Sequence, residues 1–434
     1  MMEQDNNTNQ SAQHVLVDRI AWRELLHFPK MGRAAVLAFQ PNRIIMGVIL
    51  VVILMISGSV WDALAPARQI PTITTTTSNN INRNIADIPN TVPPIQFRIR
   101  DNDGKQGSFT QACRITTTML LIAESQFLQL QVTNATQTII NIPIQIVRSF
   151  WQTDKLFLFI FGGWLLIVWC VFSGMICRSA ACDFAVNQQI PWTEALAFSL
   201  RRWMNTVGSF ALPLVVVLAG LVAIGTGGLL FHIPALNILG AALYGLALFG
   251  GFVIVCIIIL TILGAVLFIP AVAVESADAT DALARGYSYI KNRPLHFMLY
   301  MFLAIIIGLL SLAVVDYLAQ ATLLMTSTGA QLFTTSPLAE FAGKIPTSGT
   351  ENLPDAINSG TPGIAAAVLS WWQTVVGAVV AGFIISYLCS AQTVIYFLMR
   401  KATDDQALDE IWIEGMIEGT LAPERLLDEN NTGG

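Results

Sequence analysis

Residues 203–274 run for 72 positions without one Asp, Glu, Lys or Arg. A helix crosses the hydrocarbon core of a bilayer with about 20 apolar residues, and a charge at its centre is costly. Long apolar runs therefore locate membrane spans. Four more stand out, each bracketed by charged residues: 44–61 (18 residues), 156–177 (22), 294–315 (22) and 356–399 (44). The 72-residue run is too long for one span. It breaks at Phe231-His232-Ile233-Pro234, because proline brings no amide donor and ends a helix. The 44-residue run opens on a loop at 358–363 and holds one span. The expected fold class is an all-α integral membrane protein with six transmembrane helices. The fourth is long and contains Gly250-Gly251, so a tilt or kink is expected there.

Composition closes off the other classes. Charged residues make up 12% of the chain, about half the share in a soluble domain, hydrophobic residues make up 54%, and the mean hydropathy is +0.62. These values exclude a soluble enzyme and a disordered chain, and a net charge of −5 excludes nucleic acid as the main partner.

The expected organisation is a 1–42 cytoplasmic segment, a first span at 43–63, an extracytoplasmic segment at 64–154, a five-span domain at 155–400 and an acidic tail at 401–434. The five spans are placed at 155–177, 206–230, 236–270, 294–316 and 365–399. With this count, 14 Lys and Arg fall on one side, and of the opposite short loops only 317–363 holds any, Lys344. The positive-inside rule then puts both termini in the cytoplasm of a bacterial inner membrane, the first span acting as its own anchor.

Outside the spans, 16–40 alternates apolar and charged positions, as expected for a basic amphipathic helix on the inner leaflet. The Thr/Asn/Pro-rich start of the 64–154 segment reads as extended linker, 109–132 as helix, and 137–147 as strand or loop. The stretch 317–363 reads as a surface loop. The tail carries nine acids against Arg425, and Ile411, Trp412, Ile413, Met416 and Ile417 are its apolar anchor if it docks.

Two connections share a pattern. Thr193-Glu194-Ala195-Leu196-Ala197 precedes the third span and Thr280-Asp281-Ala282-Leu283-Ala284 precedes the fifth. Each unit reads as span, short cytoplasmic interfacial helix, span, a parallel duplication of one hairpin. In the second unit Asp278 stands at a helix-capping position, Asp281 and Arg285 are four apart and face each other, and Leu283, Tyr287 and Ile290 face the membrane. An interfacial helix held by a cap and an ion pair is the plain reading. The functional one is a carboxylate cluster of Glu275, Asp278 and Asp281, with Arg285 and Arg178 beside it, binding a cation or a lipid headgroup.

The segments Cys177-Arg178…Ala180-Ala181 and Glu275…Asp278…Asp281-Ala282-Leu283…Arg285…Tyr287-Ser288-Tyr289, ending in Arg293-Pro294, resemble a family of uncharacterised multi-pass membrane proteins of planctomycete bacteria. The resemblance covers roughly 150–320, and Ser276 and Gly286 depart from its pattern. It implies a membrane domain and carries no activity or catalytic residue.

The four His are scattered, Cys177 and Cys182 lack further ligands nearby, and no nucleotide or hydrolase motif is present. No catalytic residue, cofactor or metal is expected. Spans free of acidic and basic residues argue against ion-coupled transport and intramembrane catalysis. Small residues four apart (Ala241/Gly245, Ala247/Gly251, Gly377/Ala381, Ala378/Gly382) allow helices to approach closely. The expectation is a non-enzymatic scaffold or accessory subunit whose partners are membrane lipids and a protein or a second copy. The alternative is a lipid or small-molecule transport component. A weaker third is an enzyme at the cytoplasmic acidic cluster.

Overall fold

The computed structural model describes residues 28–65, 107–232, 236–334, 336–343 and 360–412. Among them every regular element is a helix, and there is no strand. A short 3-10 turn, Phe28–Met31, leads into α1 (Gly32–Ala38) and α2 (Pro41–Leu64). A hairpin of α3 (Ser108–Leu128) and α4 (Val132–Thr153) follows. A π-helical turn at Phe157–Phe161 opens α5 (Gly162–Val186). Then come α6 (Trp192–Gly228), α7 (Leu236–Glu275), α8 (Ala279–Asn292), α9 (Pro294–Gln331), the short α10 (Pro337–Gly343) and α11 (Gly360–Asp404).

Six helices are long and apolar enough to cross a membrane: α2, α5 with its π-turn, α6, α7, α9 and α11. Several overshoot the expected limits. The helices α6, α7, α9 and α11 hold 37, 40, 38 and 45 residues. At 1.5 Å per residue they are about 55–68 Å long, roughly twice the thickness of a hydrocarbon core. Charges mark where a membrane ends, and a helix does not have to end there.

Three local expectations are corrected for that reason or a related one. The 137–147 segment lies inside α4 and is neither strand nor loop. Its β-branched residues suggested a strand, but the inward positions Ala135, Ile139, Ile146 and Phe150 repeat at helical spacing. Fifteen residues of the expected 317–363 loop, up to Gln331, continue α9, and α10 occupies another part of it. Gly360 to Gly363 likewise belong to α11. The amphipathic stretch after Thr193 is not a separate helix: it is the first turns of α6, whereas its counterpart α8 is separated from α9 at Arg293-Pro294. Proline fits the first turn of a helix and breaks the one before it, and the first unit has no proline at that place. The 16–27 part of the N-terminal amphipathic stretch and the Thr/Asn/Pro linker lie outside the described residues.

The bundle centres on α11. It crosses α2 backbone to backbone at Gly47 and Gly382: a methyl on Gly47 would collide with the Gly382 carbonyl, and one on Gly382 would sit 2.8 Å from the Val48 amide nitrogen. Ala378 and Ala381 are buried beside this crossing, so the small-residue spacing of the sixth span serves internal packing. A methyl added to Gly245 or Gly251 of α7 would meet nothing within 4 Å, so the equivalent stripe on the fourth span faces outward. The polar residues of α11 fasten other segments. Ser386 Oγ donates to the Ala38 carbonyl at 2.9 Å, and Gln373 Nε2 donates to the Phe341 carbonyl of α10 at 3.1 Å.

Candidate functional site

Four buried or half-buried arginines, three carboxylates and two tyrosines meet at one end of the bundle. The centre is Glu275, the last residue of α7 and 1% exposed. The next residue, Ser276, adopts φ 54°, a left-handed conformation rare for a residue other than glycine, and turns the chain toward α8. Reversal at this point brings α8 back along α7 and sets Arg285 against the Glu275 carboxylate as an ion pair. The other carboxylate oxygen accepts from the Tyr396 hydroxyl at 2.7 Å and lies 3.5 Å from Nη1 of Arg400. Both partners come from α11, 121 and 125 positions later in the chain.

Arg400 is 0% exposed. Its Nη2 donates to the carbonyls of Ala407 (2.9 Å) and Glu410 (2.7 Å), so it also ties down the segment after α11. That segment runs back across α7, where the Trp412 amide donates to the Val274 carbonyl at 2.9 Å. Ile411 and Trp412 are buried against the chain's own core. The apolar anchor of the tail therefore docks within the molecule as far as residue 412; Ile413, Met416 and Ile417 lie outside the described residues.

Arg178 binds backbone: its two terminal nitrogens donate to the carbonyls of Ala273 (3.0 Å) and Trp412 (2.8 Å), with Phe198 stacked 4.7 Å from the guanidinium. Tyr289 of α8 donates to Asp404 at 2.7 Å. On the far side of α5, Arg43 is fully buried and holds Asp183 (2.8 Å), the Leu37 carbonyl (2.6 Å) and the Ser179 carbonyl (3.0 Å).

Burial works against the Arg285 guanidinium, but the charge of Glu275 and the neighbouring Tyr396 and Tyr289 outweigh it and hold its pKa above the ordinary value. Burial, the hydrogen bond to Asp404 and the nearby Glu275 hold the Tyr289 phenol well above its usual range. Arg285 stays a cation and Tyr289 a donor through any physiological pH. Paired groups of this kind hold charge and geometry in place.

The expected carboxylate cluster is divided. Glu275 is buried in the network, Asp278 accepts from Asn205 Nδ2 at 3.0 Å, and Asp281 is exposed. Asp278 does occupy the N-cap of α8, but its side chain bonds Asn205 and no cap amide. Arg285 pairs with Glu275, not Asp281, because a buried carboxylate holds a cation more tightly than one in water. Ile290 faces the core and Tyr287 shares a 2.7 Å hydrogen bond with Thr261, so neither side chain stands free on a membrane face. Among the described residues no group of three or more His, Cys, Asp or Glu is placed to hold a metal. A small cleft of about 230 Å³ opens beside the network, lined by Lys30, Arg33, Phe184, Ala185, Leu408 and Asp409, none of them a member of the expected cluster.

Arg43, Asp183, Tyr396, Arg400 and Asp404 are the residues that sequence reasoning missed as site members. Arg43 and Arg400 read as flanking charges of their spans, and nothing local distinguishes a flanking arginine from a buried one. Comparison with family models, with curated proteins and with solved structures returns no match. The fold defines the class alone: a multi-span helical membrane protein with an ion network closed at one end of its bundle.

Proposed function

We propose that this chain is a non-enzymatic scaffold or accessory subunit of a bacterial inner-membrane or envelope complex, with both termini and the ion network on the cytoplasmic side. One observation carries the reading. The charged groups at the polar end are spent on other elements of the same chain, joining α2 to α5, α7 to α8 and α11, and α5 to the post-α11 segment. Charge used in this way rigidifies a platform. The surface proposed for partners is the outward apolar face of α6 and α7, where Leu218, Leu221, Leu246, Phe249 and Phe252 are exposed and Gly245 and Gly251 are open. The basic side chains near the polar end, and the resemblance to a planctomycete membrane-protein family, agree with this placement.

Affinity isolation of the full chain in mild detergent, with identification of bound proteins and lipids, tests the reading. A stoichiometric protein or a second copy is expected, lost on Gly245→Leu with Gly251→Leu. A stoichiometric lipid without protein would favour the transport alternative. For the orientation, cysteines introduced at Gln189 and Lys291 should both label from the cytoplasmic side; opposite sides would overturn the topology.

A further inference from the structure

From its polarity the whole 64–154 segment is expected outside the membrane. Two sets of contacts fix how the α3–α4 hairpin lies along the spans. Its open end sits at the Asp62 end of α2. There the Asp62 carboxylate accepts from the amides of Phe109 (2.8 Å) and Thr110 (2.9 Å), and a methyl on Gly58 would collide with the Phe109 ring. On the other arm the Phe150 ring lies 4.8 Å from Phe157, which opens α5 and is 5.8 Å from Trp61. The closed end is bound to α9: Ala123 and Phe127 of α3 and Ala135 and Ile139 of α4 pack with Ile305 and Leu309.

The first span supplies a scale. Arg43 and Asp62 are 19 positions apart in α2, about 28 Å. Helix α11 ties α9 to that scale. Its Ser386 binds the Ala38 carbonyl, beside the Leu37 carbonyl that Arg43 holds, and the next residue, Tyr387, donates to the Ala304 carbonyl of α9 at 2.5 Å. Four positions along each helix Gly47 meets Gly382, so α2 and α11 stay in step. Ala304 therefore stands level with Arg43. From there α9 runs toward the Asp62 end, because its Gln331 and Gln373 of α11 hold the same α10. Leu309 is five positions and about 7 Å along that way. Measured from the opposite end, Ala123 is 14 positions and about 21 Å from Phe109. The two distances together match the Arg43–Asp62 length. The hairpin thus runs alongside α2, and its turn at 129–131 comes level with Arg43.

On α4, Ile140, Ile144, Val147 and Trp151 are exposed and fall within about 60° of one another round the helix. The stripe next to them, Gln137, Asn141 and Arg148, is polar, so α4 offers one apolar face. That face continues into a span: the Trp151 ring lies 6.2 Å from the exposed Phe159, at the start of α5. We propose that the α3–α4 hairpin is re-entrant, entering the bilayer beside α2 from the Asp62 end, with the Ile140–Trp151 stripe packed on lipid acyl chains. This rests on α2, α5 and α9 being spans. Helices of 21 and 22 residues are long enough for that depth. The hydroxyls of Thr116, Thr117, Ser125 and Thr136 donate to carbonyls of their own helices, and Thr138 donates to Gln126 across the hairpin, so they enter hydrocarbon already bonded. Arg114 and Arg148 lie near the Asp62 end, where long side chains reach the interface, and the deeper Glu124 is buried. Trp61 and Trp151 stand at that same end, as tryptophans do at a membrane interface. Both arms open on one side, so the sidedness of the six spans is unchanged.

The test uses the full chain in phosphatidylcholine vesicles, with one spin label at a time on Ile140→Cys or Val52→Cys in a Cys113→Ser, Cys256→Ala background that removes the half-buried thiols. Collision rates are read with oxygen, which concentrates in hydrocarbon, and with a water-soluble nickel chelate. Val52 is ten positions from Asp62 and Ile140 ten from Phe150, and both are exposed. The two labels should therefore lie at one depth, about 15 Å in, and give the same oxygen-dominated ratio. Nickel collisions dominating at Ile140 while oxygen dominates at Val52 would put the hairpin outside the bilayer and overturn the proposal alone. Nickel dominating at both would overturn the span reading, and the proposal with it. Exclusion of both reagents from Ile140 would mean that protein covers the stripe and would overturn the lipid contact. Should Ile140→Cys fail to fold, Ile144→Cys reads the same face about 9 Å in.

Discussion

Replacing Glu275 by alanine removes the one anion paired with Arg400 among the described residues. Arg285 is 30% exposed and can turn toward water, whereas Arg400 is 0% exposed and cannot. Its bonds to the Ala407 and Glu410 carbonyls remain but carry no counter-charge. Breaking a buried ion pair from one side typically costs about 3–5 kcal/mol. Tyr396 also loses its acceptor, which adds about 1 kcal/mol or more in a buried site. Glu275→Gln keeps an acceptor for Tyr396, so it should fall between the parent and the alanine variant. The assay follows unfolding in mild detergent with a thiol-reactive fluorophore, since Cys170, Cys177, Cys182 and Cys389 are buried and report opening of the core. A drop of about 4–7 °C is expected for the alanine variant. An alanine variant that melts within about 2 °C of the parent would show that the network contributes nothing to holding the bundle closed.

Further outcomes follow from other contacts. Gly382→Ala places a methyl 2.8 Å from the Val48 amide and 3.0 Å from the Ile44 carbonyl; backbone cannot yield as a side chain does, and a loss of about 1–3 kcal/mol is expected in the same assay. A stop after Asp405 removes the carbonyl partners of Arg178 and Arg400 in the returning segment. Each such bond to a charged group contributes about 1.5–3 kcal/mol, so the shortened chain should melt clearly lower, and unchanged melting would refute a structural role for the segment after α11. Burial, and then Asp62, raise the Cys113 thiol to about 12, so at pH 8 it should react with maleimide on the order of 100-fold or more slower than in the unfolded chain. A Cys256→Ala background, which removes the other half-buried thiol, makes that rate readable.

The sequence made the number of spans legible because charge is excluded from hydrocarbon whatever the tertiary fold. It left helix ends illegible for the same reason: α9 passes straight through Asp316 and ends at Gln331, since a buried acid does not stop a helix. Glu275 stood out as the first acid after a long apolar run, and it is indeed the centre of the ion network. Its partners did not stand out. Arg285 is ten residues away and looked bound to Asp281, while Tyr396 and Arg400 come from another span and share no local pattern with it. In α4 the residue types suggested a strand, and only the spacing of Ala135, Ile139, Ile146 and Phe150, read over a longer window, would have shown a helix.

The wide separation of Glu275 from its α11 partners also sets an order of events during synthesis. The acid leaves the ribosome 125 residues before Arg400, and the strap that completes the network follows later still, at residue 412. At about 5–20 residues per second, Glu275 waits roughly 6–25 s at the end of α7 with Arg285 as its companion. Until α11 has emerged, Glu275 lacks Tyr396 and Arg400, and the closure of this end of the bundle waits for the last span.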